Sequence, residues 1–596
     1  KKYKTGKATL DARIISNEKW YRLRHWSQMK KSQTENGDEE YASAWLFNVL
    51  INKHADAMDN IPEPCILPRE ESDQDEAKKL SAIIPVVMEQ CQYPQVYSDM
   101  WWQKLKAGTG VTGVFWDPTA NNGAGDIRIR PVDILNVYWE PGVTDIQASP
   151  HFFTVSLDDK EALIARYPEL RGKLTGGDME VKTYVHDDTI DTSEKAAVVD
   201  WYYKRTLPDK RTVVHMCKYV GNTVLYASEN DPNLRERGFY DHGKYPFVFD
   251  ALFKEEGTPA GFGYLDICKD AQIQIDKMNQ VIVKNALIAA RPRWFIRSDG
   301  SVNEAEYADW KKDFVHVQGA GNPKDNIMQI PVNALPSIYV SILDQKVNEL
   351  KEVSGNRDFA QGGTTGGVTA ASAIASLQEA GNKLSRDMNS SAYRAYEQVC
   401  LLVIELIRQF YSAPRCFRIT GDDGSIDFTH YDNANLAPGG LPGMDADMSA
   451  RLPIFDIKVK SQKRSPFATA VENERAKELY GMGFFNHEAA DAALAALDMM
   501  TFEGKDKIVQ SIQERGTMIT MLQEKVQQLS RIVDAQNGTT IEAGITSAMG
   551  GGAAPLPAVN ALPSLESNQL GAARSLPTSM EGAARTRAAA ASTPKI

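Results

Sequence analysis

From Thr369 to Tyr411 the chain carries one unbroken helical pattern of about 43 residues. Its apolar stripe runs through Ala370, Ile374, Leu377, Gly381, Leu384, Met388, Ala395, Val399, Leu402, Leu406 and Phe410. Ordinary globular helices stop well short of this length, so the pattern predicts packing against other long helices. Gly381 and Asn389-Ser-Ser391 are the points where it could kink.

What precedes this helix is equally ordered. A first helix is predicted over Tyr264–Ala290, with Cys268, Ala271, Ile275, Met278, Ile282 and Ala289 at helical spacing, and Pro292 stops it. A compact insert of about 45 residues follows. It holds strand-like Trp294-Phe-Ile-Arg297, Phe314-Val-His-Val317 and Ile327-Met-Gln-Ile330, and Ser301-Val-Asn-Glu304 fits a capping box opening a short helix. After Pro336 a second helix runs from Ile338 to about Val353 with Tyr339, Leu343, Val347 and Leu350 on one face. Then comes a loop, Phe359 to Thr369, built on Gln361-Gly362-Gly363-Thr364-Thr365-Gly366-Gly367.

Residues 1–60 read as helices, at Lys19–Met29 and Glu40–Met58, until Pro62, Pro64 and Pro68 break the pattern. The acidic run from Glu70 to Glu76 opens a helix through Cys91, bent at Pro85, and another follows from Val96 to Lys106. Strands are predicted at Val111–Trp116, Asp126–Arg130, Val198–Tyr203 and Thr212–His215, which makes residues 1–262 one mixed α+β domain. Strands return at Cys416–Thr420, Ser425–Thr429 and Ile454–Lys460. Residues 466–536 are helical again, and Ile512, Ile519, Leu522, Val526, Leu529 and Val533 lie close to a heptad seam. From residue 537 to 596 Gly, Ala, Pro, Ser and Thr dominate, and so few large apolar residues predict disorder.

The motifs of catalysis are missing. Gly108-Thr-Gly110-Val-Thr-Gly113 matches G-x-G-x-x-G, but a helix precedes it and a strand overlaps it, the reverse of a dinucleotide site. A helix-to-strand turn is the expected role. No P-loop, H-E-x-x-H or G-x-S-x-G occurs. Gly421-Asp-Asp-Gly424 reads as a tight turn between strands rather than a metal site. Six scattered cysteines and dispersed histidines, His316 among them, supply neither zinc spacing nor a disulfide framework, which suits a reducing compartment. No catalytic residue, metal or cofactor is expected.

No run of about 18 apolar residues predicts a membrane span. The basic start at Lys1 has no apolar segment after it, so it is not a signal peptide, and the absence of an initiator Met suggests a trimmed chain. The net charge is −11, without the strong basic stripe of a protein that grips DNA for affinity. The glycine loop before a helix could cradle a phosphate or act as a flexible connector.

The order of helix, insert, helix, glycine loop and very long helix resembles the phage portal protein family. The likeness is carried by Glu352-Val-Ser-Gly355, through Gly367-Val-Thr-Ala-Ala-Ser372, to Gln378-Glu-Ala-Gly381, and by Gly261-Phe-Gly-Tyr264. It covers roughly residues 20–535. The resemblance implies a wing over residues 1–262 and 369–465, stem helices at 263–290 and 337–357, and a clip at 291–336. It also implies a tunnel loop at 358–368, a helical crown at 466–536, and a tail beyond.

On the same grounds, the chain is expected to form a ring, usually a dodecamer, at one capsid vertex, assembled in the host cytoplasm. Double-stranded DNA would pass through it without sequence specificity. The terminase large subunit, major capsid protein and head-completion adaptor or tail proteins would dock on it. The loop residues Gln361 to Gly367 would face the DNA channel. The basic residues Arg293, Arg297, Lys311 and Lys312, with Arg291, are candidates for partner docking. From Ile338 to Tyr411 eight acidic and seven basic side chains leave no net basic charge to hold a duplex in place. Two rival expectations are another virion assembly protein, such as a scaffold or adaptor without a channel, and an enzyme acting on DNA.

Overall fold

A computed structural model of the chain describes residues 2–29, 41–174, 194–290, 337–355, 383–420 and 453–463, with parts of 293–336 and 426–451 and isolated positions beyond 463. Two compact units divide the chain, Lys1–Ser465 and Pro466–Ile596. In the second, Lys525, Val526, Gln528, Leu529, Arg531 and Ile532 have helical backbone, inside the last helix predicted from the heptad spacing.

The first unit mixes helices and antiparallel sheets, an α+β fold. A five-stranded sheet runs in the order Val137–Trp139, His151–Asp159, Lys195–Thr206, Thr212–Val220, Thr223–Ala227, each strand beside the next in sequence. A three-stranded sheet sets Thr109–Asp117 between Asp126–Pro131 and Phe247–Ala251. The inward residues of the two sheets meet, and Phe152, Tyr202, Tyr245 and Phe247 are all buried. The largest core joins helices Trp45–Met58, Gln74–Gln90 and Tyr93–Ala107 to helix Lys383–Phe410, whose Tyr396, Val399, Cys400, Val403 and Ile407 are all buried. Each such side chain contributes about 1.5–3 kcal/mol by leaving water.

Several local expectations change. The stretch Lys19–Met29 is not one helix: helix Ala8–Tyr21 ends, Leu23 takes φ +58°, and one 3-10 turn covers His25–Ser27. A continuous helix would set Trp20 and Trp26 about 120° apart around its axis. The break lets Trp20, His25 and Trp26 all be buried. The next helix begins at Trp45 rather than Glu40.

The prolines at 62, 64 and 68 do not end a structured run but sit inside a strand, Asn60–Pro68, paired antiparallel with Phe455–Lys463. The reason is parity. Ile66 donates its N–H to Ser81 Oγ, and Asn60 O accepts from Tyr393 Oη, so even-numbered residues face away from the partner strand. All three prolines are even-numbered, where the ladder needs no donor.

The glycine-rich turn behaves as expected. Gly108 ends helix Tyr93–Ala107 at φ +84°, and a β-carbon there would lie 2.4 Å from Phe262 Cα. Strand Thr109–Asp117 follows at once. Strands Arg415–Thr420 and Ile426–Tyr431 pair with Thr420 opposite Ile426, the register a short connection demands. The turn residues Gly421–Gly424 lie outside the described residues.

Of the 43-residue helical pattern, Lys383–Phe410 is a helix, and its earlier part lies outside the described residues. Among the described residues it packs against strands Asn60–Pro68, Thr109–Asp117, Phe247–Ala251 and Phe455–Lys463 and against helix Trp45–Met58. A buried clamp holds its start. Lys104 Nζ lies 2.7 Å from Asp250 Oδ2, and Ser391 Oγ donates to Asp250 Oδ1 at 2.9 Å. Burial pushes the Lys104 ammonium down from its ordinary pKa, and Asp250 opposes that shift.

Candidate functional site

Two helices leave the body together. The outbound helix is Tyr264–Ala290, about 40 Å long at 1.5 Å per residue. The return helix is Ile338–Ser354, packed on it. Both match the predicted spans to within a residue.

Burial shows where they root. In the outbound helix Tyr264, Leu265, Cys268, Gln272, Ile275 and Asp276 are buried, and nothing beyond Asp276 is. In the return helix only Leu350 and Ser354 are buried. The far ends stand clear, with Leu287 49 % and Ile338 60 % exposed. The predicted face of Tyr339, Leu343 and Val347 is half-buried.

A polar latch fixes the root. The Asp276 carboxylate is fully buried. Its Oδ1 accepts from Ser43 N–H at 2.9 Å, Ser43 Oγ at 2.7 Å and Gln272 Nε2 at 2.8 Å. Its Oδ2 lies 2.5 Å from His25 Nδ1. The other ring nitrogen, His25 Nε2, is 3.1 Å from Trp20 O. Gln272 Oε1 in turn accepts from Leu46 N–H at 3.2 Å, at the start of helix Trp45–Met58. The latch therefore ties two separate stretches of chain, Trp20–His25 and Ser43–Leu46, to one turn of the outbound helix. Ser43 makes these bonds from outside the helix, which begins two residues later at Trp45.

The insert between the two helices is a small module. Trp294–Ile296 and Ile327–Gln329 pair antiparallel, with Phe295 opposite Met328. Both of these side chains are exposed, as is Phe314 at 78 %. Trp294 meets Tyr307 edge-on at 5.6 Å between ring centroids. The short helix Glu304–Ala308 is capped by Asn303, whose side chain accepts from Glu306 N–H; Ser301, the first residue of the predicted capping box, lies outside the described residues. Hydrogen bonds from the His316 ring and its N–H hold the Glu306 carboxyl down at about 2, helped by Lys312 at 3.5 Å. His316 thus has a structural partner.

Of the basic residues predicted for docking, Arg293, Lys311 and Lys312 are all exposed on this module, and Lys312 is engaged by Glu306. Arg291 and Arg297 lie outside the described residues, and so do Gln361, Gly362, Gly363, Thr364, Thr365, Gly366 and Gly367. Among the described residues no three His, Cys, Asp or Glu side chains converge as metal ligands, and no helix is long and apolar enough to cross a membrane.

The model of the phage P22-like portal protein family matches residues 14–543. The chain belongs to that family. No curated protein matches it. Portal proteins are structural components of the phage virion, associated as an oligomeric ring with the capsid and its DNA, and serve DNA packaging.

In this portal protein the latch is what sequence reasoning missed. A signal was present: Gln272 and Asp276, four residues apart, interrupt the apolar stripe beside Cys268 and Ile275. Polar residues on a buried helical face need partners, and those partners come from residues 20–46.

Proposed function

We propose that copies of this chain, twelve in number, close into a ring at one capsid vertex and form the channel for DNA packaging and ejection. The outbound and return helices are the stem, and the module between them is the clip. Residues 1–262 and 369–465 are the wing, 466–536 the crown, and Gln361 to Gly367 the tunnel loop facing the duplex. The clip, with Arg293, Arg297, Lys311 and Lys312, receives the terminase large subunit and later the head-completion adaptor and tail proteins. The major capsid protein surrounds the ring. Assembly takes place in the host cytoplasm. The chain performs no catalysis, and a partner ATPase supplies the energy of packaging.

One observation carries this reading: the outer halves of the two helices leave Val281, Leu287, Ile288, Ile338 and Val340 exposed, a surface that one subunit cannot cover. A closed heterologous interface covers such flanks on every copy at once. The near-balance of charge from Ile338 to Tyr411 suits a conduit that does not hold its duplex. Native mass spectrometry with negative-stain imaging of the purified chain tests it. The expected result is a closed ring with a central hole of about 20 Å or more, enough for a duplex. A compact dimer or an open filament overturns it and favours a scaffold or adaptor.

A further inference from the structure

The strand Phe247–Ala251 is an edge of the three-stranded sheet. Its register fixes where its backbone groups point. Pro246 O accepts from Val114 N–H at 2.9 Å, and Leu252 N–H donates to Gly108 O at 2.9 Å. Residues 246, 248, 250 and 252 therefore face the central strand, and the alternate residues turn their N–H and C=O groups the other way. The outward C=O of Ala251 accepts from Ser391 Oγ at 3.2 Å. Among the described residues none hydrogen-bonds the outward N–H or C=O of Phe247 or Phe249.

These groups open on a cleft of about 840 Å³, walled by helix Lys383–Phe410 on one side and by residues 144–147 and 254–260 on the other. Its lining carries both signs of charge: Lys244, Lys254 and Arg394 against Asp145, Glu255, Glu256 and Glu405, with Asp250 buried at its floor against Lys104. A nucleic-acid backbone, negative throughout, would meet these carboxylates. A small apolar ligand would leave the strand's backbone groups unmet. An extended polypeptide meets both conditions, since its main chain pairs with Phe247 and Phe249 and its side chains can carry either charge.

We propose that an extended segment of a second copy of this chain adds as a strand to Phe247–Ala251, so that adjacent portal subunits share a sheet. The proposal rests on the ring reading, which sets a second copy against each subunit's flank. Five residues of edge, about 17 Å, accommodate a strand of ordinary length.

Hydrogen–deuterium exchange at single-residue resolution, on the full-length chain as monomer and as ring, tests it. The Phe247 and Phe249 amides are expected to exchange at least about tenfold more slowly in the ring. Val248 and Asp250, already in the ladder, change little. A ring in which Phe247 and Phe249 exchange at the monomer rate overturns the shared sheet and leaves the ring standing. Failure of the chain to close into any ring overturns both. A second test compares Phe249→Pro, which removes an outward N–H and no ladder bond, with Phe249→Leu, which keeps it. The leucine variant is expected to assemble, and the proline variant to lose ring yield at least about tenfold. Equal assembly of the two refutes the proposal. If the proline variant does not fold, as judged by circular dichroism of the monomer, exchange in the wild-type ring decides.

Discussion

Asp276 concentrates three hydrogen bonds on one carboxylate oxygen and sets a histidine ring against the other, with no water-exposed surface. Removing it strands donors from three parts of the chain, and an unmet buried donor costs about 1–3 kcal/mol. Asp276→Ala is therefore expected to lower the unfolding free energy by about 3 kcal/mol or more, read from urea titration of the monomer. Asp276→Asn, which keeps one carbonyl oxygen for Ser43 and Gln272, should lose less. A cost for the alanine variant below about 1 kcal/mol would show that water replaces the carboxylate and that the latch does not set the root. The latch also marks what was legible at this scale. Gln272 and Asp276 could be seen as polar intruders on an apolar stripe. Their partners His25 and Ser43 could not, because nothing in local spacing connects positions more than 200 residues apart. Lys104 and Asp250 were hidden for the same reason: each reads as an ordinary surface charge until the fold buries the pair.

The two projecting helices were legible almost to the residue, whereas Lys19–Met29 and the start of Trp45–Met58 were not. The outbound and return helices appear where the spacing put them, because helical contacts repeat every three or four residues along the same segment. The strand Asn60–Pro68 was not, because its ladder partner is Phe455–Lys463, almost the whole first unit away. Prolines 62, 64 and 68 look like breakers to any local reading and are harmless only given that register. The register makes a sharp contrast between neighbouring positions. Glu63 is exposed, yet its N–H faces the ladder, opposite Lys460. Glu63→Pro should cost about 3 kcal/mol by removing that donor. Pro64→Ala should change stability by less than about 1 kcal/mol, because the N–H it restores points away from the partner strand. Thermal or urea unfolding of the two variants reads the difference, and equal costs would mean that the strand pairs in another register.

At the scale of the whole molecule, the family was legible from the order of helix, insert, helix, glycine loop and long helix, and the α+β class from the alternation of helical and strand patterns. The tunnel-loop residues and the crown stay with the function proposed for them. What the structure adds is a surface that makes no sense in one copy. Leu287 and Ile288 stand exposed at the far end of a helix whose root is latched shut, so exposure here is not local looseness. Leu287→Glu separates the two scales. In the monomer it touches no buried contact, so stability should stay within about 0.5 kcal/mol of wild type. In a closed ring the same side chain recurs at every interface. Each interface then loses about 2 kcal/mol of apolar burial and must desolvate a carboxylate as well. Because closure needs every interface at once, the defect repeats around the circle and assembly should fail while the subunit stays folded. Native mass spectrometry beside a monomer melting curve reads both quantities. Rings of normal yield from Leu287→Glu would mean that the outer stem faces solvent in the assembly, and that the closing contacts lie in the wing.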